Sequence, residues 1–253
     1  MTLDLVDTHI HLEEVPDWRR AVDEAVAAGV TRLIAMGVDA QTTRGAIAMA
    51  EEKPAVFAAV GHHPMNKTGP DLTLLRELAA HPRVVAIGEV GLDHADRDDV
   101  GPFDEQERWF HTLLELALEL DLPACVHIRD SAEDVHRVLA AHPGVRGVIH
   151  YWSLDAAWAG RFLDLGFHIS FAGTLTRKSK EQIREVARLV PEDRLLLETD
   201  APWGAPQGRS GPMRPAWMVD TARTLAALRG WDLETLSRIE LANVSSLFPR
   251  LQS

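Results

Sequence analysis

Eight short runs of apolar, often β-branched residues punctuate the chain: Leu5 to His9, Thr31 to Met36, Ala55 to Val60, Val84 to Gly88, Ala124 to Ile128, Gly147 to His150, Phe167 to Ser170 and Arg194 to Glu198. Stretches such as TRLIAM, AVFAAV, RVVAIG and RLLLE are apolar almost throughout, as parallel strands buried on both faces must be. Between the runs lie segments whose apolar residues recur at three- and four-residue steps, Asp104 to Leu120 and Glu181 to Leu189 among them. Gly29, Gly144 and Gly166 follow helical stretches and Pro123 precedes a strand, where βα units need their breaks. The alternation predicts repeated βα units around a parallel sheet. Eight units of modest spacing, with no Gly-rich phosphate loop after the first strand, favour an α/β (β/α)8 TIM barrel over a doubly wound open sheet. Beyond the eighth strand, a Pro- and Gly-rich loop from Ala201 to Pro215 leads into helices over Ala216 to Arg229 and Leu233 to Leu247, a C-terminal helical extension.

Length and composition agree with that architecture. The 253 residues match one barrel domain spanning 1–253, and 46% apolar with 25% charged residues is the balance of a soluble globular chain. No run approaches the roughly 18 apolar residues of a membrane span, and MTLDLVDTHIHLEE lacks a basic segment followed by an apolar one, so a cytoplasmic protein with no membrane association is expected. Cys125 is the only cysteine, which excludes an intrachain disulfide and any zinc site needing two thiolates from this chain. A metal would have to be held mainly by histidine and carboxylate. The net charge of -12 argues against a protein that coats nucleic acid through a broad basic field. It leaves room for an enzyme that grips a strand end, because divalent cations supply local positive charge.

The candidate chemistry clusters at strand ends. His9 and His11 close the first run two residues apart, so strand alternation points both imidazoles to one side. Alone, such a pair is as readily two hydrogen-bonded rim histidines. It gains weight from Glu89 after the fourth run, His127 in the fifth, His150 at the end of the sixth and Asp200 after the eighth, all at the rim where (β/α)8 enzymes build their sites. Glu89 lies in the apolar stretch Ile87 to Gly91, where a carboxylate needs a cation or a hydrogen-bond network. His127 and His150 could be core histidines, and Asp200 could cap the next helical turn. Together, six such ligands suit two divalent ions sharing a carboxylate, with Asp200 as general base, and the chemistry implied is hydrolysis by an activated water.

At full length the residues resemble the TatD family of metal-dependent deoxyribonucleases, within the amidohydrolase-like barrels. The resemblance rests on VDTHIHL from Val6, VGHHP from Val60, IGEVGLD from Ile87, Gln106 to Phe110, LPACVHIRD from Leu122, VIHYWS from Val148, GFHISFAG from Gly166 and RLLLETDAP from Arg194. It implies that His9, His11, Glu89 and Asp200 hold a first ion and that Glu89 bridges to a second held by His127 and His150. It also implies that Asp200 accepts a proton from the attacking water, and that His63 lies near the substrate phosphate. Arg129 matches a further polar position of the motif. His62 stands where the family usually has an apolar residue. The implied activity is removal of nucleotides from the 3′ end of single-stranded DNA, and sometimes RNA, with magnesium or manganese; the imidazole and carboxylate ligands also suit zinc, so two divalent metal ions (Mg, Mn or Zn) are expected.

Basic residues expected on the rim fit a nucleic-acid substrate: Arg129, then Arg177, Lys178 and Lys180 after the seventh strand, and Arg209 and Arg214 after the eighth. Trp152 and Trp203, shortly beyond His150 and Asp200, stand where a flat ring could stack a terminal base or equally pack the rim. The chain departs from the family pattern at Gly211 and Met213, where Lys and Asn would be expected, and at Leu154, where Gly would be. The stretch Asp93 to Asp99 is acidic and would repel a polyanion. The same metal chemistry attacks carbon centres, so a small-molecule hydrolase (lactonase, amidase or deaminase) is the alternative, and a noncatalytic binding barrel is a third reading. No protein partner is indicated.

Overall fold

The computed structural model describes residues 3–95 and 100–252. Eight parallel strands, β1 (Leu5–Ile10), β2 (Val30–Met36), β3 (Val56–Val60), β4 (Val84–Asp93), β5 (Ala124–Arg129), β6 (Gly147–Ile149), β7 (His168–Phe171) and β8 (Leu195–Leu197), pair in chain order. They alternate with α1 (Trp18–Ala28), α2 (Ala40–Glu52), α3 (Leu72–Ala79), α4 (Phe103–Leu120), α5 (Ala132–Ala140), α6 (Ala156–Asp164), α7 (Glu181–Leu189) and α8 (Met218–Arg229); α9 (Leu233–Leu247) follows. The expected TIM barrel with its helical extension is what the chain forms.

Alternation along the strands sorts apolar side chains into two cores. Ile34, Met36, Phe57, Ala59, Cys125, Val148 and Leu196 fill the barrel, while Leu33, Ala35, Val56, Ala58, Ala124, Ile149 and Leu197 pack outward against the helices. α9 is apolar toward the barrel floor: Val244 and Leu247, with Phe248 just beyond, join the inner cluster. Ser237 accepts the N–H of Asp4 at 3.0 Å, and Asn243 donates to the carbonyls of Glu192 and Leu195 at 2.7 and 2.8 Å. The extension therefore plugs the end opposite the predicted site.

The seam between β8 and β1 is closed by hydrogen bonds from residues just beyond β8. Asp200 donates its N–H to the His9 carbonyl at 2.9 Å, and His11 donates to Ala201 at 3.0 Å. Asp7 accepts from both the N–H and the hydroxyl of Thr199, at 2.8 and 2.5 Å. β4 runs to Asp93, past the apolar run that ends at Gly88, because it continues to pair with β5 as far as Arg129 and because Gln106 holds both the N–H and the carbonyl of Asp93. Of the acidic stretch expected at 93–99, Asp93 is buried, and 96–99 lie outside the described residues. No helix among the described residues is long and apolar enough to cross a membrane.

Candidate metal centre

Inward parity carries the chemistry up to the C-terminal rim. Cys125 leads to His127, Val148 to His150 and Leu196 to Glu198, each two residues further along a strand whose inner face is already set. β1 shifts register between Asp7 and Ile10, and β4 between Ile87 and Val90, so His9, His11 and Glu89 enter from irregular stretches. The second irregularity needs glycine nearby: a Cβ on Gly61 would lie 2.2 Å from the Gly88 carbonyl carbon. Asp200 sits in the left-handed region at φ 54, a conformation that aspartate tolerates better than most residues.

Glu89 is the centre of the constellation. Its Oε2 lies 3.4 Å from His9 Nε2 and 3.3 Å from His11 Nε2. Asp200 Oδ1 completes that group, 3.8 Å from His9 Nε2 and 3.4 Å from His11 Nε2. Glu89 Oε1 lies 2.8 Å from His127 Nδ1, 2.9 Å from His150 Nε2 and 3.3 Å from His63 Nε2. One carboxylate thus turns an oxygen to each of two groups of donors. The His9 and His150 rings stack 3.9 Å apart and 7° from parallel, which fixes the groups side by side.

The donors fit divalent cations. Glu89 Oε2 and His9 Nε2 are buried without a hydrogen-bond partner although they face each other, a costly arrangement that a shared cation resolves. Imidazole and carboxylate suit zinc, manganese, iron or magnesium and offer no thiolate. Burial pushes the Glu89 carboxyl up, but His63, His150 and His9 around it, and His11 against it, outweigh burial and hold it well below the usual carboxylate range. His9 is held below the usual imidazole range by burial and then by the charge of His150, so it is neutral and able to ligate.

Two further carboxylates, absent from the candidates that the sequence points to, stand behind the rings. Glu198 Oε1 lies 3.5 Å from His150 Nδ1 and accepts the Tyr151 N–H at 2.7 Å. Asp93 Oδ2 lies 3.4 Å from His127 Nε2. Carboxylate behind imidazole is the usual way of orienting a ligating histidine. Glu198 precedes Asp200 by two residues and Asp93 follows Glu89 by four, but that spacing does not set them apart from other acids near strand ends.

The donors floor a cavity of about 720 Å³ that Arg129, Tyr151 and Trp203 also line. His63 joins the donors directly and accepts the Met65 N–H on Nδ1. Trp203 is exposed at the mouth, edge-on to His11 with ring centres 4.9 Å apart. Trp152 is a correction. It is 1% exposed, packs edge-on against Phe162 and lines no part of the cavity, so it offers no face to a base. β6 ends at Ile149 and Tyr151, at φ 47, breaks the alternation, so Tyr151 turns to the cavity and Trp152 packs outward against Phe162 of α6. His62 packs against Trp109, outside the constellation. Of the expected rim cations, Arg214 pairs with Glu24 and Arg209 with Asp220, both at 2.8 Å.

Comparison with known proteins matches residues 6–249 to the family model for TatD-related DNases. An uncharacterized metal-dependent hydrolase of Escherichia coli K12, YcfH, is 37% identical over 98% of each chain. The 3′–5′ ssDNA/RNA exonuclease TatD of Rahnella is 33% identical over 92% of each chain. The crystal structure of YjjV, a TatD homologue from Escherichia coli K12, superposes with a TM-score of 0.92 at 31% identity, covering 98% of this chain and 99% of that one. Match length, identity and barrel agree: the chain is a metal-dependent hydrolase barrel that belongs to the TatD-related DNase family.

Proposed function

We propose that this protein is a 3′–5′ exonuclease that hydrolyses phosphodiester bonds at the ends of single-stranded nucleic acid, using two divalent cations held by His9, His11, Glu89 and Asp200 on one side and by Glu89, His127 and His150 on the other. The observation that carries it is the division of Glu89, Oε2 to one donor group and Oε1 to the other. The exonuclease named among its relatives supports the substrate class. Two such cations supply Lewis acidity at a phosphoryl oxygen, make water acidic enough to attack at neutral pH and steady the leaving oxygen.

The chain's own residues do the rest. Asp200, the more exposed carboxylate of the set, takes the proton of the attacking water on an oxygen that faces the cavity. Glu198 and Asp93 keep the His150 and His127 rings turned to Glu89. Arg129 faces the phosphate, and Trp203 offers its ring to the terminal base.

The test incubates protein loaded in turn with magnesium, manganese and zinc with 5′-labelled single-stranded DNA, with Glu89→Gln as the control. Shortening from the 3′ end by the wild type alone supports the reading. No cleavage by protein carrying two metals per chain overturns it and moves the search to lactones, amides and deaminase substrates.

A further inference from the structure

The loops after β7 and β8 enclose a second concavity on the rim, a notch of about 660 Å³ whose lining includes Arg177, Lys178, Ser179, Gln207 and Arg209. Among the described residues, none that lines it is acidic, against a net charge of -12 for the whole chain. Among the described residues neither Arg177 nor Lys178 pairs with a carboxylate, and both are exposed. The acids at the starts of the two flanking helices are already engaged: Asp220 of α8 by Arg209 and Arg223, and Glu181 of α7 by Arg184 and Arg188.

The notch is also built rather than incidental. Lys178 donates its N–H to Gln207 Oε1 at 2.9 Å, Gln207 donates its own to the Thr176 hydroxyl at 2.7 Å, and the Arg177 guanidinium donates to the Ala205 carbonyl at 3.3 Å. These bonds stitch the two loops into one wall. A Cβ on Gly173 would fall 2.2 Å from the Gly204 carbonyl oxygen, so the loops meet as closely as backbones allow.

Its position relates it to the metal centre. Trp203 lines the catalytic cavity while Ala205 and its successors line the notch, so a single loop has one feature on each side. Between them Gly204, at φ 68, lies against the hydroxyl of Tyr151, itself a cavity residue.

We infer that this notch is a phosphodiester-binding subsite, in which Arg177 and Lys178 hold a backbone phosphate of the strand whose 3′ end enters the catalytic cavity. The inference rests on the nuclease reading above and adds to it a preference for strands long enough to reach past Gly204. Exposed cations on a held loop contribute electrostatically to substrate binding without touching the bond that breaks.

The test is the steady-state hydrolysis of oligothymidylates from two to sixteen nucleotides at several salt concentrations, by wild type, Lys178→Ala, Lys178→Glu and the double variant Arg177→Gln/Lys178→Ala. Expected is a KM that falls with length in the wild type. In the variants KM for the long strands rises by up to about fivefold per cation removed, most for Lys178→Glu. The dinucleotide KM and every kcat stay unchanged, and the salt slope on long strands flattens by about 0.7 for each phosphate that is no longer neutralised. Because Arg177 also bonds the Ala205 carbonyl, the two single Lys178 variants carry the conclusion if the double variant loses folding. Hydrolysis with unaltered length dependence in the Lys178 variants overturns the subsite and leaves the nuclease reading standing. A KM increase shared by a small phosphomonoester overturns it too, since the notch would then take a terminal phosphate. No hydrolysis of any oligonucleotide by the wild type overturns the nuclease reading and the subsite with it.

Discussion

Glu198 stands directly behind His150, its Oε1 3.5 Å from the ring's Nδ1 and fixed there by the Tyr151 N–H at 2.7 Å. The opposite nitrogen of the same ring, Nε2, lies 2.9 Å from Glu89. A buried carboxylate behind Nδ1 favours a proton on that nitrogen, which would leave Nε2 free to hold a cation. Glu198→Gln is expected to weaken metal affinity by about 10–100-fold, the range for removing such a partner. Titration of metal-stripped protein with manganese or zinc checks it; unchanged affinity in a folded variant would mean that Glu198 serves packing alone.

On the proposed roles, Asp200 serves the chemistry and Trp203 the binding. Asp200→Asn is expected to lower kcat by about 10²–10⁴-fold with the fold intact, the usual contribution of a positioned general base. Trp203→Ala is expected to raise KM with kcat held, because stacking is worth roughly 1–3 kcal/mol per base. Steady-state kinetics on one oligonucleotide measures both, and the reverse assignment of the two parameters would refute the roles given.

Trp152 makes the opposite prediction. Buried against Phe162, it is expected on truncation to alanine to cost about 3–5 kcal/mol of stability. Denaturant unfolding reads this directly, and a stable variant with an altered KM would return Trp152 to the substrate site.

The barrel seam depends on Asp7 and Thr199. Thr199→Val keeps the shape and removes the hydroxyl that donates to Asp7 at 2.5 Å, so a loss of about 1–3 kcal/mol is expected. A melting temperature within about a degree of wild type would show that the backbone bonds between His9, Asp200, His11 and Ala201 close the seam unaided.

His168, at the N-terminal end of β7 and far along the barrel from the metal centre, gives a pH signature. Burial, and then the charge of Arg194, push its imidazole down to about 4. The unfolded ring protonates near its ordinary value of 6.5 while the folded ring does not, so the unfolded state binds the extra proton between pH 6.5 and 4. Stability is intact above 6.5 and falls as the pH drops toward 4, by about 3 kcal/mol from this group. Chemical denaturation of wild type and His168→Gln across that window should show the wild type losing ground to the variant; parallel curves would contradict the burial argument.

What the sequence makes legible follows from which interactions are local. The eight apolar runs become the eight strands because parallel strands with both faces covered leave little choice of residue, and the histidines at their ends stay at one rim because alternation is a local rule. β4 runs five residues beyond its apolar stretch because its end is held by Gln106, thirteen residues away, and by pairing to β5. Trp152 defeats a rim assignment based on its nearness to His150 along the chain, because the left-handed turn at Tyr151 breaks the alternation and buries it against α6. Asp93 and Glu198 give no distinctive signal, since a carboxylate that orients a ring looks, in sequence, like any other acid near a strand end. The pairing of Arg214 with Glu24 joins residues 190 apart and has no local signal at all.

On the proposed reading Glu89 would be shared by the two groups of residues that hold the cations. The most direct test of that sharing is the metal content per chain of wild type and Glu89→Gln after equilibration with manganese and with zinc, measured by mass spectrometry on folded protein and paired with cleavage of 5′-labelled single-stranded DNA. Two ions per wild-type chain, with fewer than two and no cleavage in the variant, is the predicted result. A Glu89→Gln protein that retains two ions and cleaves at a near-normal rate would contradict it.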